Sequence, residues 1–154
     1  MELILWRHAE AEPGDPDMSR SLTSRGEKQA RRVAKWLHSR LPQNAKIYVS
    51  PAVRAQQTAQ ALVEISHHRL RTVDQLAPGA SVADVLGAVG WPSSKATIVV
   101  VGHQPTLGLV ASELLGGREQ DWAIKKGGVW WISQRENGGD ERTLLRAVVN
   151  PDLV

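Results

Sequence analysis

Short apolar, β-branched runs alternate along this chain with longer segments whose apolar residues recur at helical spacing, and that alternation limits the fold more than any other feature. Residues 2–6, 46–49, 97–101, 129–133 and 143–149 read as strands, with 71–73 a weaker candidate. Helices are expected between them. Ser24 and Glu27 have capping-box spacing, and Ala30, Val33, Ala34, Leu37 and Leu41 then share one face up to Pro42, leaving Lys28, Arg31, Arg32 and Lys35 toward solvent. Pro51 opens a second helix over 52–64, Ser81 and Asp84 cap a short one through Val89, and Pro105 precedes a fourth over 106–115 that Gly116 and Gly117 end. Strand and helix in turn specify an α/β domain, expected as three α/β/α layers around a mostly parallel central sheet of about six strands. Residues 134–142, with Asn137-Gly138-Gly139, join the last two strands as a hairpin, which makes an antiparallel edge. No composition shift, repeat or low-complexity tract divides the chain, so residues 1–154 read as one domain.

The chain has no cysteine. That excludes disulfide frameworks, Cys-ligated zinc, iron–sulfur clusters and thiol nucleophiles, so covalent catalysis would need another group. The apolar stretches at 3–6 and 96–101 fall far short of the roughly 20 residues a membrane helix needs. Glu2 and Arg7 bracket a start unlike a signal peptide, and a soluble, cytoplasmic protein without a membrane partner is expected. Charge is unevenly spread: from Arg20 to Lys46 eight basic residues accompany one acid, Glu27. This suits an anionic partner, but with no recognition helix or aromatic stacking platform it does not indicate nucleic acid. Walker-type loops, dinucleotide fingerprints and Gly-x-Ser-x-Gly elbows are missing too.

Chemistry gathers at strand ends. Arg7-His8-Ala9-Glu10 follows the first strand, Ser50-Pro51 with Arg54 and Thr58 follows the second, and Gly102-His103-Gln104-Pro105 follows the most apolar one. In a parallel sheet Arg7, His8, Arg54 and His103 converge on one rim, where open α/β sheets bind their ligands. Two guanidiniums and two imidazoles with no carboxylate in the same motifs would repel one another unless an anion completed the cluster, and the planar fork of Arg matches phosphate oxygens. The helix starts at Pro51 and Pro105 would add backbone donors.

On these residues the chain resembles the histidine phosphatase (phosphoglycerate mutase-like) superfamily. The shared pieces are Leu5-Trp6-Arg7-His8-Ala9-Glu10-Ala11, Leu22-Thr23 with Gly26 and Gln29-Ala30, Ser50-Pro51 through Thr58-Ala59, and Val101-Gly102-His103-Gln104-Pro105, in that order and spacing. The short length and the Arg-His-Ala-Glu-Ala form are most similar to the SixA-type phosphohistidine phosphatases. The resemblance implies that His8 is a nucleophile that is phosphorylated and then hydrolysed, that Arg7, Arg54 and His103 hold the phosphoryl group, and that neither metal nor cofactor takes part. It also implies that Ser21 lies near the phosphate pocket. Neighbouring positive charge keeps an imidazole neutral and stabilises the equatorial oxygens of a transferring phosphoryl group.

One departure bears on the substrate. Larger members place an acid for the leaving group after the third strand, whereas residues 74–79 here offer no carboxylate at that point. An alkoxide departs poorly without a proton donor, but imidazole leaves more readily. Phosphohistidine in a protein, such as a histidine-containing phosphotransfer domain, is therefore the expected substrate. A small phosphorylated molecule is the alternative within the enzyme class, and a non-catalytic phosphoprotein-binding module is the rival outside it. Asp84 and Glu10 are the remaining carboxylates considered as proton donors. Lys125 and Lys126 are expected near the mouth of the site, and the basic helix face from Lys28 to Lys35 could dock an acidic phosphoprotein or simply be solvated. His67-His68 reads as a solvated loop, and Trp130 and Trp131 should point to opposite faces of their strand.

Overall fold

The structure is a computed structural model that describes residues 1–154, apart from the side chain of residue 137. Its elements follow the chain as β1 (Glu2–Arg7), α1 (Ser24–His38), β2 (Lys46–Val49), α2 (Val53–Ser66), β3 (Leu70–Thr72), α3 (Val82–Val89), β4 (Thr97–Gly102), α4 (Thr106–Gly116), β5 (Val129–Asn137) and β6 (Asp140–Val149). Three 3-10 turns, Asp17–Ser19, Asp74–Leu76 and Pro151–Leu153, complete it. The strands form one six-stranded sheet in the order β3-β2-β4-β1-β5-β6. The first four are mutually parallel, whereas β5 runs antiparallel to β1 and β6 antiparallel to β5.

Both faces of the central strands are covered, which is why they read as unbroken apolar runs. Along β1, Ile4 and Trp6 pack with Val33 and Leu37 of α1 and Ala55 and Leu62 of α2. Leu3 and Leu5 point the other way, to Val85 of α3 and Leu107 and Val110 of α4. Trp131 and Trp130 divide between the same two faces, Trp131 edge-on to Trp36 of α1 and Trp130 beside Trp122. The expected three layers are thus present. Strands β1 and β2 lead into helices on one face and β4, which lies between them, into a helix on the other, so the connections diverge around the end of β4. Such a crevice is where doubly wound sheets bind ligands.

Several boundaries shift for local reasons. The cap of α1 is Thr23, one residue before the expected Ser24, because the Thr23 hydroxyl accepts from the Gly26 N–H. The helix ends at His38, ahead of Pro42, where the Arg40 and Leu41 N–H groups both turn back to the Leu37 carbonyl. The last two strands run four and three residues further into the expected loop than 129–133 and 143–149 implied, leaving only Gly138 and Gly139 as the turn. Both glycines have positive φ, 62° and 93°, the requirement of a tight hairpin turn whose twist matches the strands. His68 is buried, its Nε2 hydrogen-bonded to the Pro42 carbonyl at 2.9 Å, rather than solvated as its polar neighbours suggested. Among the described residues no helix is long and apolar enough to cross a membrane.

Candidate active site

The end of β1 is held from every side by groups that the fold brings in from elsewhere. The His8 N–H donates to Gly102 of β4 and its carbonyl accepts from Gly127, while the Trp6 indole donates to the Gly127 carbonyl. Beyond His8, the Ala9 N–H donates to the Thr58 hydroxyl, which itself donates to the Arg54 carbonyl one turn earlier in α2. The Glu10 N–H donates to Gln29 of α1. Gly26 is required where α1 crosses this segment, because a Cβ there would run into the Glu10 carbonyl.

On this support the sheet brings His8, Arg54 and His103 together, all nearly buried. The two imidazole rings are 5.1 Å apart, and the Arg54 Nε–H points at His8 Nε2 at 3.4 Å. His8 Nδ1 lies 2.8 Å from the Ala9 carbonyl, which can only accept, so Nδ1 carries the proton and the Nε2 lone pair faces Arg54. His103 Nε2 pairs with the Ser50 hydroxyl at 2.7 Å, whose oxygen also accepts from the Ala52 N–H at the start of α2. Arg7 follows on β1 with Nη1 on the Ile124 carbonyl at 2.8 Å. Arg7 Nε and His103 Nδ1 are buried without a hydrogen-bond partner, an uncommon condition for polar atoms inside a protein.

Burial, reinforced by Arg54 and Arg7, lowers the His8 pKa to about 4. Burial first, then His8 and Arg54, lowers that of His103 to about 3. Both rings are therefore neutral near pH 7, and His8 presents an unprotonated nitrogen beside a guanidinium.

A carboxylate also reaches this group, which the strand-end motifs gave no reason to expect. Asp17 accepts from Arg54 Nη2 through Oδ2 at 3.0 Å and from Arg54 Nη1 through its own carbonyl at 2.8 Å. Its Oδ1 pairs with Arg20 at 3.0 Å, and Arg20 is tied in turn to the Glu12 carbonyl. A buried guanidinium needs a counter-charge, and the 3-10 turn after β1 supplies one. Asp17 lies 37 residues from Arg54 in a Pro- and Gly-containing loop, so no periodicity or spacing announced the pair.

The other expected residues lie as follows. Ser21 gives its carbonyl to the Glu12 N–H, and among the described residues its hydroxyl makes no hydrogen bond. The Asp84 carboxylate accepts from the Ser81 N–H in the capping box of α3 and, among the described residues, makes no hydrogen bond to the four-residue group. Glu10 accepts from the Thr23 hydroxyl at 2.8 Å. Arg7 and Glu10 open onto a cleft of about 580 Å³ that the exposed Arg25, Lys28, Arg32, Lys125 and Lys126 also line. Among the described residues no cluster of three or more His, Cys, Asp or Glu is arranged to hold a metal ion.

Comparison with known proteins gives this geometry a lineage. The sequence model of the Histidine phosphatase superfamily (branch 1) matches residues 3–77. A Phosphohistidine phosphatase SixA homolog of Haemophilus influenzae is 31% identical over 131 residues, 77% of this chain and 79% of that one. The chain belongs to the histidine phosphatase superfamily. Phosphohistidine phosphatase SixA of Escherichia coli is 26% identical over 122 residues, 76% of each chain. A solved structure of the protein histidine phosphatase SixA complexed with tungstate shares the fold with a TM-score of 0.84 over 99% of both chains, at 23% identity. As a member of this superfamily the protein is a phosphatase, a hydrolase that acts on a phosphorylated partner.

Proposed function

We propose that the protein removes phosphate from phosphohistidine borne on another protein, through a covalent phosphohistidine on its own His8. The observation that carries this reading is the state of His8: neutral, with Nδ1–H fixed on the Ala9 carbonyl and the Nε2 lone pair turned to Arg54. In the first half-reaction Nε2 attacks phosphorus, a bond forms from Nε2 to phosphorus, and the bond from phosphorus to the substrate imidazole breaks. In the second, water attacks the same phosphorus and the electron pair returns to Nε2. Arg7, Arg54 and His103 hold the equatorial oxygens, where fixed positive charge and hydrogen-bond donors favour the transition state. The Ala9 carbonyl retains the Nδ1 proton throughout, so His8 leaves as neutral imidazole.

Relatives named for phosphohistidine support the substrate class. A protein-borne substrate is supported by the basic cleft beside Arg7, whose lining cations are solvated rather than fixed around a small pocket. Solvated charge of this kind steers an acidic surface more than it grips a small anion. The test is hydrolysis of a phosphohistidine peptide, an alkyl phosphate monoester and an aryl phosphate by wild type and His8→Ala. The expected outcome is a preference for the peptide and loss of all activity in the variant. Preference for the alkyl ester would make the protein a small-molecule phosphomonoesterase, and tight peptide binding without turnover would make it a binding module.

A further inference from the structure

Asp17 is the one carboxylate that touches the His8–Arg54–His103 group among the described residues. Its setting is asymmetric. The Arg54 side chain it pairs with is 5% exposed, whereas its own side chain is 53% exposed. One oxygen thus reaches inward to the buried guanidinium and the other sits with Arg20 on the outer side. An ionised carboxylate has about four lone-pair sites. The two Arg contacts use two, and the remainder take no further hydrogen bond among the described residues, in a side chain that is half exposed. The Arg20 and Arg54 guanidiniums also hold its carboxyl below the usual carboxylate range.

We propose that Asp17 is a specificity-determining residue that selects an imidazole leaving group, by accepting a hydrogen bond from its free N–H, over an alkoxide. This rests on the phosphohistidine reading above and deepens it. Transfer from phosphohistidine to His8 passes a phosphoryl group between two imidazoles, and each ring departs easily only when its far nitrogen carries a proton. On the enzyme side the Ala9 carbonyl secures that proton on Nδ1 of His8. On the substrate side Asp17 plays the corresponding part. The phosphorylated imidazole arrives with a proton on its far nitrogen, and the bond from phosphorus to its near nitrogen breaks. The electron pair stays on that nitrogen, and a neutral imidazole leaves with its N–H still directed at the carboxylate. No proton changes hands. An alkoxide leaving group requires the opposite service, a donated proton, which a carboxylate held ionised by two guanidiniums does not give.

The experiment compares Asp17→Asn with wild type on a phosphohistidine peptide and on p-nitrophenyl phosphate, whose leaving group needs neither a proton nor an acceptor. A charged acceptor hydrogen bond corresponds to about tenfold to a hundredfold in rate. The expected result is a fall of that size in kcat/KM for the peptide relative to the aryl phosphate. Arg20→Ala, which loosens the outer oxygen, should shift the same ratio in the same direction by less. Equal losses on both substrates would show that Asp17 only holds Arg54 in place, and an unchanged ratio would likewise overturn the proposal. If Asp17→Asn is poorly folded by thermal unfolding, the ratio in Arg20→Ala decides. Wild type that turns over the aryl phosphate but not the peptide would refute the substrate reading itself, and the selection with it.

Discussion

His8 has the state that the proposed nucleophile requires: burial and the neighbouring arginines keep it neutral, and one carbonyl fixes which nitrogen is free. Two consequences follow for pH. The proposed attack needs unprotonated Nε2, so kcat/KM should fall below a pH of about 4, with an acid limb that His8 sets. Stability behaves differently. The folded pKa values of His8 and His103 lie below the ordinary 6.5, so the unfolded chain binds more protons in between. Their contribution is fully present above about 6.5 and is lost as pH falls through the folded values, which denaturant titration between pH 7 and 4 would register as a steady decline. Arg54→Lys should lower kcat by about a hundredfold or more, since a point charge cannot offer the fork that faces His8 and Asp17 at once. Steady-state kinetics on the aryl phosphate checks it. Arg7, His8, Arg54 and His103 could be picked out in the sequence because each follows a recognisable strand. Asp17 could not, because its partner is distant in sequence and its loop carries no periodic signal.

Among the elements, α1 does two jobs. Its apolar stripe covers β1 and β2, and its first two turns prop the loop that follows His8 through Gly26, Gln29 and the Thr23 cap. The stripe was legible from helical spacing. The crossing of Gly26 over Glu10 was not, because a close approach is a property of two segments and not of either one. Gly26→Ala would usually aid a helix by roughly 1 kcal/mol. Here the added methyl meets a backbone carbonyl that cannot swing aside, so a net loss of about 1–3 kcal/mol is expected instead, measured by urea unfolding. The hairpin illustrates the same limit. Asn137-Gly138-Gly139 marked its turn, but the polar residues flanking it concealed that the strands continue as far as Asn137 and resume at Asp140.

At the scale of the molecule, the divergence of connections around β4 explains why residues nearly a hundred positions apart meet at one rim, and why a basic helix borders it. If the cleft steers an acidic phosphoprotein, Lys28→Glu with Arg32→Glu should cut kcat/KM about tenfold for a phosphohistidine peptide with acidic flanks at low salt. That difference should shrink near roughly 0.5 M salt, and p-nitrophenyl phosphate should be hydrolysed as before. Equal rates for acidic and neutral peptides would assign the cleft to solubility alone. Covalent transfer to His8 is tested by mixing the protein with a phosphohistidine peptide carrying labelled phosphate, quenching in alkali within one turnover, and mapping the label by mass spectrometry. Label on His8, absent in His8→Ala, is expected; turnover with no labelled protein, or label on another residue, would overturn covalent transfer.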